Sequence, residues 1–307
     1  MPPASRRSPK IGLVLGSGSA RGWAHLGVLK ALQEAGVRPD IVCGSSVGAL
    51  IAAVYAAKEI DRFTDWILAL DRRKIFQFMD FRWSGGILKG DRLMKSMQQY
   101  FGRTTIEECQ LPFAAVSTDL YTGAEVWLRR GPLVDAVRAS IALPGLFTPV
   151  ATQGRWLVDG GLVNPVPVSV ARALGADVVI AVDLNADIMR RRQALPVVDA
   201  EETAATPSSW LSRWHPLRFE KTAEEESLPA VAASTAQMPS VLDVGLNSIN
   251  IMQMRISRSR LAGDPPEVLI TPRLAHLGLL DFHRAEEAIE AGHHAALLQL
   301  PELANFY

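Results

Sequence analysis

Ser46 has the surroundings in this 307-residue chain that most plainly suggest chemistry. It lies in Gly44-Ser45-Ser46-Val47-Gly48, a G-x-S-x-G pattern between the strand-like run Asp40-Ile41-Val42-Cys43 and an apolar helical run. A sharp strand-to-helix turn lifts a serine oxygen clear of a sheet. Flanking glycines let backbone and substrate approach closely, and the helix N-terminus behind the serine favours negative charge on an attacked carbonyl. The five-residue pattern alone is common by chance; its place between strand and helix is what raises it. A nucleophilic serine also needs a group to take its proton. The histidines are His25, His215, His276, His283, His293 and His294. None sits in the short strand-to-loop segment that usually presents a triad imidazole, and His25 reads as a structural residue of the first helix. The serine also arrives far earlier than in an ordinary α/β-hydrolase, so a Ser-His-Asp triad is disfavoured. A second local pattern is Asp159-Gly160-Gly161, directly after the strand-like run 155–158. By itself that tripeptide reads equally well as a simple turn.

The elements that must position these residues follow from hydrophobic patterning. Residues 11–15 form a short buried strand that runs into Gly16-Ser17-Gly18-Ser19-Ala20-Arg21-Gly22. A helix follows, with Leu26, Leu29 and Leu32 on one face and Gly36 as its C-terminal stop. A second strand covers 40–43, and the helix after Ser46 is apolar on every side, which places it centrally. Residues 61–101 read as amphipathic helix broken at Ser84-Gly85-Gly86. Further expectations are a strand at 113–117, a hairpin at 120–128 around Thr122-Gly123, and helices at 133–141 and 166–174. The β-branched run 178–182 has the pattern of a strand buried on both faces. A long helix at 241–261, a strand at 268–270 and a terminal helix at 282–300, N-capped by Asp281, complete the chain. Alternating strands and helices of this kind imply a mostly parallel sheet covered on both sides. Residues 16–22 also invite comparison with the phosphate-binding turn of a dinucleotide fold. Gly16 and Gly18 fit that pattern, but Arg21 occupies its third glycine position and the second strand ends in Gly-Ser-Ser rather than an acid.

Three motifs taken in order resemble the patatin-like phospholipase family: a glycine-rich loop of the G-G-G-x-[RK]-G kind, the G-x-S-x-G elbow, and D-G-[GA]. The segments DGGLVNPVPVSVARALGADVVIAVDL, RASIALPGLFTPV and LITPRLAHLGLLDF are similar to the bacterial branch related to the neuropathy-target-esterase catalytic domain. The resemblance covers most of the chain and least of all 186–239. It implies a three-layer α/β/α patatin-like fold with a mostly parallel central sheet, occupying 11–307 after a flexible tail at 1–10. It also implies that Ser46 is the nucleophile and that Asp159 exchanges the proton without histidine. The amides of Gly18 and Ser19 would form the oxyanion hole, with Arg21 nearby. Gly16, Gly22, Gly44, Gly48, Gly160 and Gly161 support the three motifs. This chain departs from the triple glycine with Ser17-Gly18-Ser19, which brings strain if either serine must adopt positive φ. The implied activity is hydrolysis of a phospholipid, lysophospholipid or other carboxylic ester through an acyl-enzyme. Two alternatives stand beside it: acyl transfer to an alcohol on the same dyad, and a non-catalytic lipid-binding regulatory module, against which the intact Ser46 and Asp159 argue.

Composition narrows the field further. Hydrophobic residues make up 48% of the chain and charged residues 21%, an ordinary globular balance, and the formal net charge is zero. That balance lacks the basic excess of a nucleic-acid binder. Charge is nonetheless uneven. Nine basic residues face four acidic ones between Arg62 and Arg103, and seven acidic face three basic between Asp199 and Glu226. Both stretches read as solvated faces, and the first also as a surface for anionic headgroups. Cys43 and Cys109, without a disulfide framework, suggest a reducing compartment. The N-terminus lacks the apolar core of a signal peptide, and the longest apolar run, 47–57, is too short to span a bilayer. The expected location is the cytoplasm, with peripheral contact at the inner membrane surface. No metal or cofactor is expected, and the expected partner is an acyl lipid or ester substrate. Residues 186–239, with Trp210 and Trp214, read as a mobile or lid-like insertion whose tryptophans are either packed or interfacial anchors.

Overall fold

A computed structural model of the chain describes residues 8–70, 91–187 and 241–306. Residues 1–7 of the tail, the helix break at 84–86, most of the insertion with Trp210 and Trp214, His215, and the basic residues between 72 and 89 lie outside the described residues.

In chain order the elements begin with β1 (Ile11–Leu15), α1 (Ala24–Glu34), β2 (Ile41–Ser45), α2 (Val47–Ala56), α3 (Ile60–Leu68) and α4 (Asp91–Phe101). Next come β3 (Phe113–Asp119), β4 (Glu125–Leu128), α5 (Leu133–Ser140), β5 (Val150–Thr152) and β6 (Arg155–Asp159). The chain closes with α6 (Val168–Ala173), β7 (Val178–Val182), α7 (Val241–Gly263), β8 (Val268–Ile270) and α8 (Ala285–Leu303). Strand existence follows the pattern closely because β1, β2, β3 and β7 are buried along their whole length. Three details differ from expectation. The hairpin pairs β4 with β3 rather than folding 120–128 on itself, because Asp119 accepts from the Tyr121 and Thr122 amides and makes 120–124 the turn. Strand β5 lacks a hydrophobic signal because it is half exposed. The terminal helix starts at Ala285 without a side-chain cap, since the Asp281 carboxylate accepts from the Gly278 amide.

The eight strands among the described residues form one sheet. From β3 the neighbours run β2, β1, β7, β8, all parallel, while β4, β5 and β6 are antiparallel. Burial on both faces of the parallel half defines three layers. Ile11, Leu13 and Leu15 pack with residues of α1, α2, α3, α4, α5 and α8. The alternate residues Val14, Cys43 and Ala114 pack with Val168, Val170 and Ala171 of α6. Helix α2 is buried apart from Tyr55, as an apolar segment without a polar face must be. Helices α1 and α8 cross at two glycines. A Cβ on Gly27 would overlap the Ile289 carbonyl, and one on Gly292 would overlap the Ala24 carbonyl. That closeness locks the helix that follows the glycine-rich loop.

Register along β3 explains how distant motifs meet. Val116 pairs with Ser45 of β2 and with Trp127 of β4. The next residue, Ser117, pairs with Val126 of β4 and with Asp159 of β6. Strand β4 occupies one edge across both positions, so β2 and β6 share the other. Strand β2 leaves that edge at Ser45 and the antiparallel β6 arrives there at Asp159. Two C-terminal ends therefore face each other across one step of the ladder.

Candidate active site

Ser46 stands at the turn between β2 and α2 with φ 57° and ψ −128°, a conformation that a non-glycine residue adopts only when its surroundings enforce it. Two close approaches provide the enforcement. A Cβ on Gly48 would collide with the Leu15 carbonyl of β1, and one on Gly44 would collide with the Gly48 backbone. The glycines of this motif thus let α2 sit directly on the strands. The Ser46 carbonyl accepts from the Ala49 and Leu50 amides (2.9 and 3.3 Å) and its own amide donates to Ser140 Oγ (3.0 Å).

The Ser46 hydroxyl donates to Asp159 Oδ2 at 2.5 Å. The other carboxylate oxygen, Oδ1, accepts from the Gly161 amide at 2.7 Å. Asp159 is completely buried. Burial pushes its carboxyl up to about 7, against the two hydrogen bonds, which pull the other way. A carboxylate normally spent at neutral pH thereby becomes a base matched to it. The histidines bond elsewhere: His276 meets Glu287 and His293 meets Glu34, both at 2.7 Å. His25 is buried in α1, its Nε2–H directed at the Gly16 carbonyl at 2.8 Å. Burial drives its pKa down to about 4 and keeps it neutral.

The glycine-rich loop runs from β1 over the mouth of the dyad. Ser19 adopts φ 52° and Ser17 does not adopt positive φ, so of the two departures from triple glycine only Ser19 carries strain. Ser17 is put to use instead. Its hydroxyl donates to Gln253 Oε1 (3.2 Å), its amide to the Pro165 carbonyl (2.9 Å), and its carbonyl accepts from Asn185 Nδ2 (3.1 Å). The Gly18 and Ser19 amides find no acceptor among the described residues, and both residues line the cavity that contains Ser46. Arg21 does not line that cavity. Its buried guanidinium donates to Asn250 Oδ1 (2.8 Å) and to the Gly18 carbonyl (3.4 Å), tying the loop to α7. Gly16 lies against the Val182 carbonyl, Gly22 against Val47, and Gly160 against the Val116 carbonyl.

The cavity measures about 1150 Å³ including its open mouth, and its walls are mostly apolar, with Leu50, Phe63, Trp66, Met97, Leu143 and Leu246 prominent. Beside Ser46 itself, Ser19, Asn250 and Gln253 bring polar side chains to its lining. The last two belong to α7, and sequence reading assigned them no role. Their signal was weak: two amides three residues apart in Ile249-Asn250-Ile251-Met252-Gln253, placing both on one helix face beside Leu246. Gln253 also abuts Gly161, where an added Cβ would stand 2.5 Å from Nε2, so α7 touches both the glycine-rich loop and the Asp159 turn. None of the described helices is long and apolar enough to cross a membrane.

A buried hydroxyl-carboxyl pair thus stands beside an apolar cleft that Gly18 and Ser19 also line. The chain belongs to the patatin-like phospholipase family: the family model matches residues 13–172, which contain all three motifs. An NTE family protein of Mycobacterium tuberculosis is 36% identical over 322 residues, spanning 93% of this chain and 89% of the relative. The lysophospholipase NTE1 of Coccidioides immitis is 30% identical over 305 residues, covering 96% of this chain and 18% of that much longer protein. Among solved structures, VipD from Legionella pneumophila aligns with a TM-score of 0.47 and 15% identity, over 97% of this chain and 77% of that one.

Proposed function

We propose that this protein is a serine lipid-ester hydrolase that works through a Ser46–Asp159 dyad and an acyl-enzyme. The observation that carries the reading is the 2.5 Å hydrogen bond to a wholly buried Asp159 from the Oγ of Ser46, which lines an apolar cleft. Ser46 Oγ attacks the ester carbonyl as its proton passes to Asp159 Oδ2. The amides of Gly18 and Ser19 receive the oxyanion. The bond to the leaving alcohol breaks, and Asp159 returns the proton to that alcohol. Water then gives a proton to Asp159 and attacks the acyl-enzyme, and the fatty acid departs as Ser46 recovers its proton. The acyl chain lies along Leu50, Phe63 and Met97. The apolar cleft beside Ser46 and the activity named for the fungal relative together favour lipid esters, lysophospholipids foremost.

The test combines labelling with product analysis. A fluorophosphonate probe is expected to modify the peptide containing Ser46, and a panel of lysophospholipids, phospholipids and p-nitrophenyl esters to release free fatty acid. An adduct at another serine, or no adduct with no ester turned over, rejects the reading. Acyl products formed on added glycerol or lysolipid in place of free acid would mark the same site as a transferase.

The loop carries its own prediction. Positive φ at a serine costs about 1–2 kcal/mol, and glycine there returns about 0.5–1 kcal/mol of that as unfolded-state entropy. Ser19→Gly is therefore expected to leave stability within about 1 kcal/mol in urea denaturation. Its kcat should stay within a factor of about three, because the donor is the main-chain amide; loss of that donor would cost about 10²–10³.

A further inference from the structure

The end of α5 touches both members of the dyad without belonging to it. The strand ladder ends at Ser45, so the turn at Ser46 directs the nucleophile's amide away from any strand partner. Ser140 Oγ accepts from that amide at 3.0 Å and donates its own proton to the Val116 carbonyl at 2.5 Å. Val116 is the residue paired with Ser45, so the hydroxyl bridges the turn to the sheet beneath it. A serine near a helix end commonly bonds back to its own preceding turn. Ser140 instead spends both hydrogen bonds across to other elements, and it is completely buried. Two residues on, the Ala142 carbonyl accepts the Asp159 amide at 3.0 Å. The residues between and beyond, Ile141 and Leu143, line the cleft. One short segment thus holds the nucleophile's backbone, the base's backbone and the wall of the acyl site.

We propose that Ser140 is a positioning residue for the reaction: through its hydroxyl it fixes the Ser46 turn at the height where Oγ meets Asp159, while Ala142 fixes the other side of the pair. This rests on the reading of Ser46 as nucleophile. Ser140 touches no reacting atom and acts through the Ser46 amide. Removing the hydroxyl leaves that amide and the Val116 carbonyl buried without partners, and the turn relaxes toward ordinary φ. Misplacement of a reacting group by about 1 Å costs on the order of 10²-fold in rate.

The test measures rate per competent site. Fluorophosphonate titration counts active enzyme, and kcat is divided by that count. Ser140→Ala is expected to lower kcat and the labelling rate constant by about 100-fold, with KM for a short-chain ester nearly unchanged. Ser140→Cys keeps the size of the side chain and weakens both hydrogen bonds; it covers the case in which the alanine variant does not fold, and should lose at least about tenfold. A merely structural role would lower the melting temperature and the titrated fraction but leave kcat per titrated site at the wild-type value. That outcome in a folded variant overturns the proposal. Labelling of wild type at Ser46 with equal rates in the variants rejects only the positioning role; absence of labelling in wild type removes the nucleophile assignment and the positioning role together.

Discussion

Ser46→Ala is expected to lower kcat for ester hydrolysis by about 10⁶, the scale seen when the nucleophile of a serine hydrolase is removed. The size follows from the site. With Oγ gone, the Asp159 carboxylate keeps, among the described residues, the Gly161 amide as its partner, and no acyl-enzyme forms. A water activated by Asp159 would have to attack directly, and it lacks the orientation that the turn at φ 57° imposes on the serine. The fold should survive, because the strain at the turn is held by Gly44 and Gly48 packing and by the backbone bonds of residue 46, none of which uses the hydroxyl. Circular dichroism should match wild type while labelling disappears. Residual hydrolysis within about tenfold of wild type would transfer the nucleophile to another residue, with Ser19, which lines the same cleft, the first to examine.

Asp159→Asn is expected to lower kcat by about 10⁴, the upper end for loss of a general base, while making the protein more stable at alkaline pH. Both effects come from one buried carboxyl. The amide can satisfy both partners, accepting from the Gly161 amide and donating to Ser46 Oγ, so geometry persists without basicity. In wild type the folded-state pKa near 7 lies above the ordinary carboxyl value of 3.8. The folded protein therefore binds more protons than the unfolded chain between about pH 4 and pH 7. Stability falls as pH rises through that window, and above it the full cost of a buried charge is present, on the order of 4 kcal/mol. The asparagine variant has no such cost, so its advantage in urea unfolding should be small at about pH 4 and largest at about pH 8. The same ionisation governs rate. Wild-type kcat should climb about tenfold per pH unit below about 7 and level off above it. A wild-type profile flat from about pH 5 to about pH 8 would contradict the assignment of Asp159 as base.

Much of this site could be read from the chain because its parts are local. The turn at Ser46 needs a strand, two small residues and a helix in close succession. Glycine spacing records that need directly, since any Cβ at Gly44 or Gly48 meets backbone. Asp159 is less legible: its carboxylate takes the amide two residues on, a bond that a simple Asp-Gly-Gly turn would also make, and only the order of the three motifs singles it out. The unbroken apolar runs of β1, β7 and α2 announced burial on every side.

Other features have no local signature. Gln253 and Asn250 look like any two amides on a helix; they acquire a role only because α7 lies across both loops. Ser140 reads as an ordinary helical serine until Ser46 and Val116 close around it. Arg21, implied to lie near the oxyanion loop, bonds the Gly18 carbonyl and Asn250, an acceptor that only the packing of α7 brings within its reach. The sequence by itself determined the three local motifs and the elements that present them, since glycine contacts and hydrophobic period act over a few residues. Only the tertiary structure decided that Ser46 and Asp159 touch, that the carboxyl is dry, and which side chains hold the pair in place. Those outcomes depend on β2 and β6 ending on the same edge of β3, a matter of strand pairing between segments more than a hundred positions apart, which no run of neighbouring residues encodes.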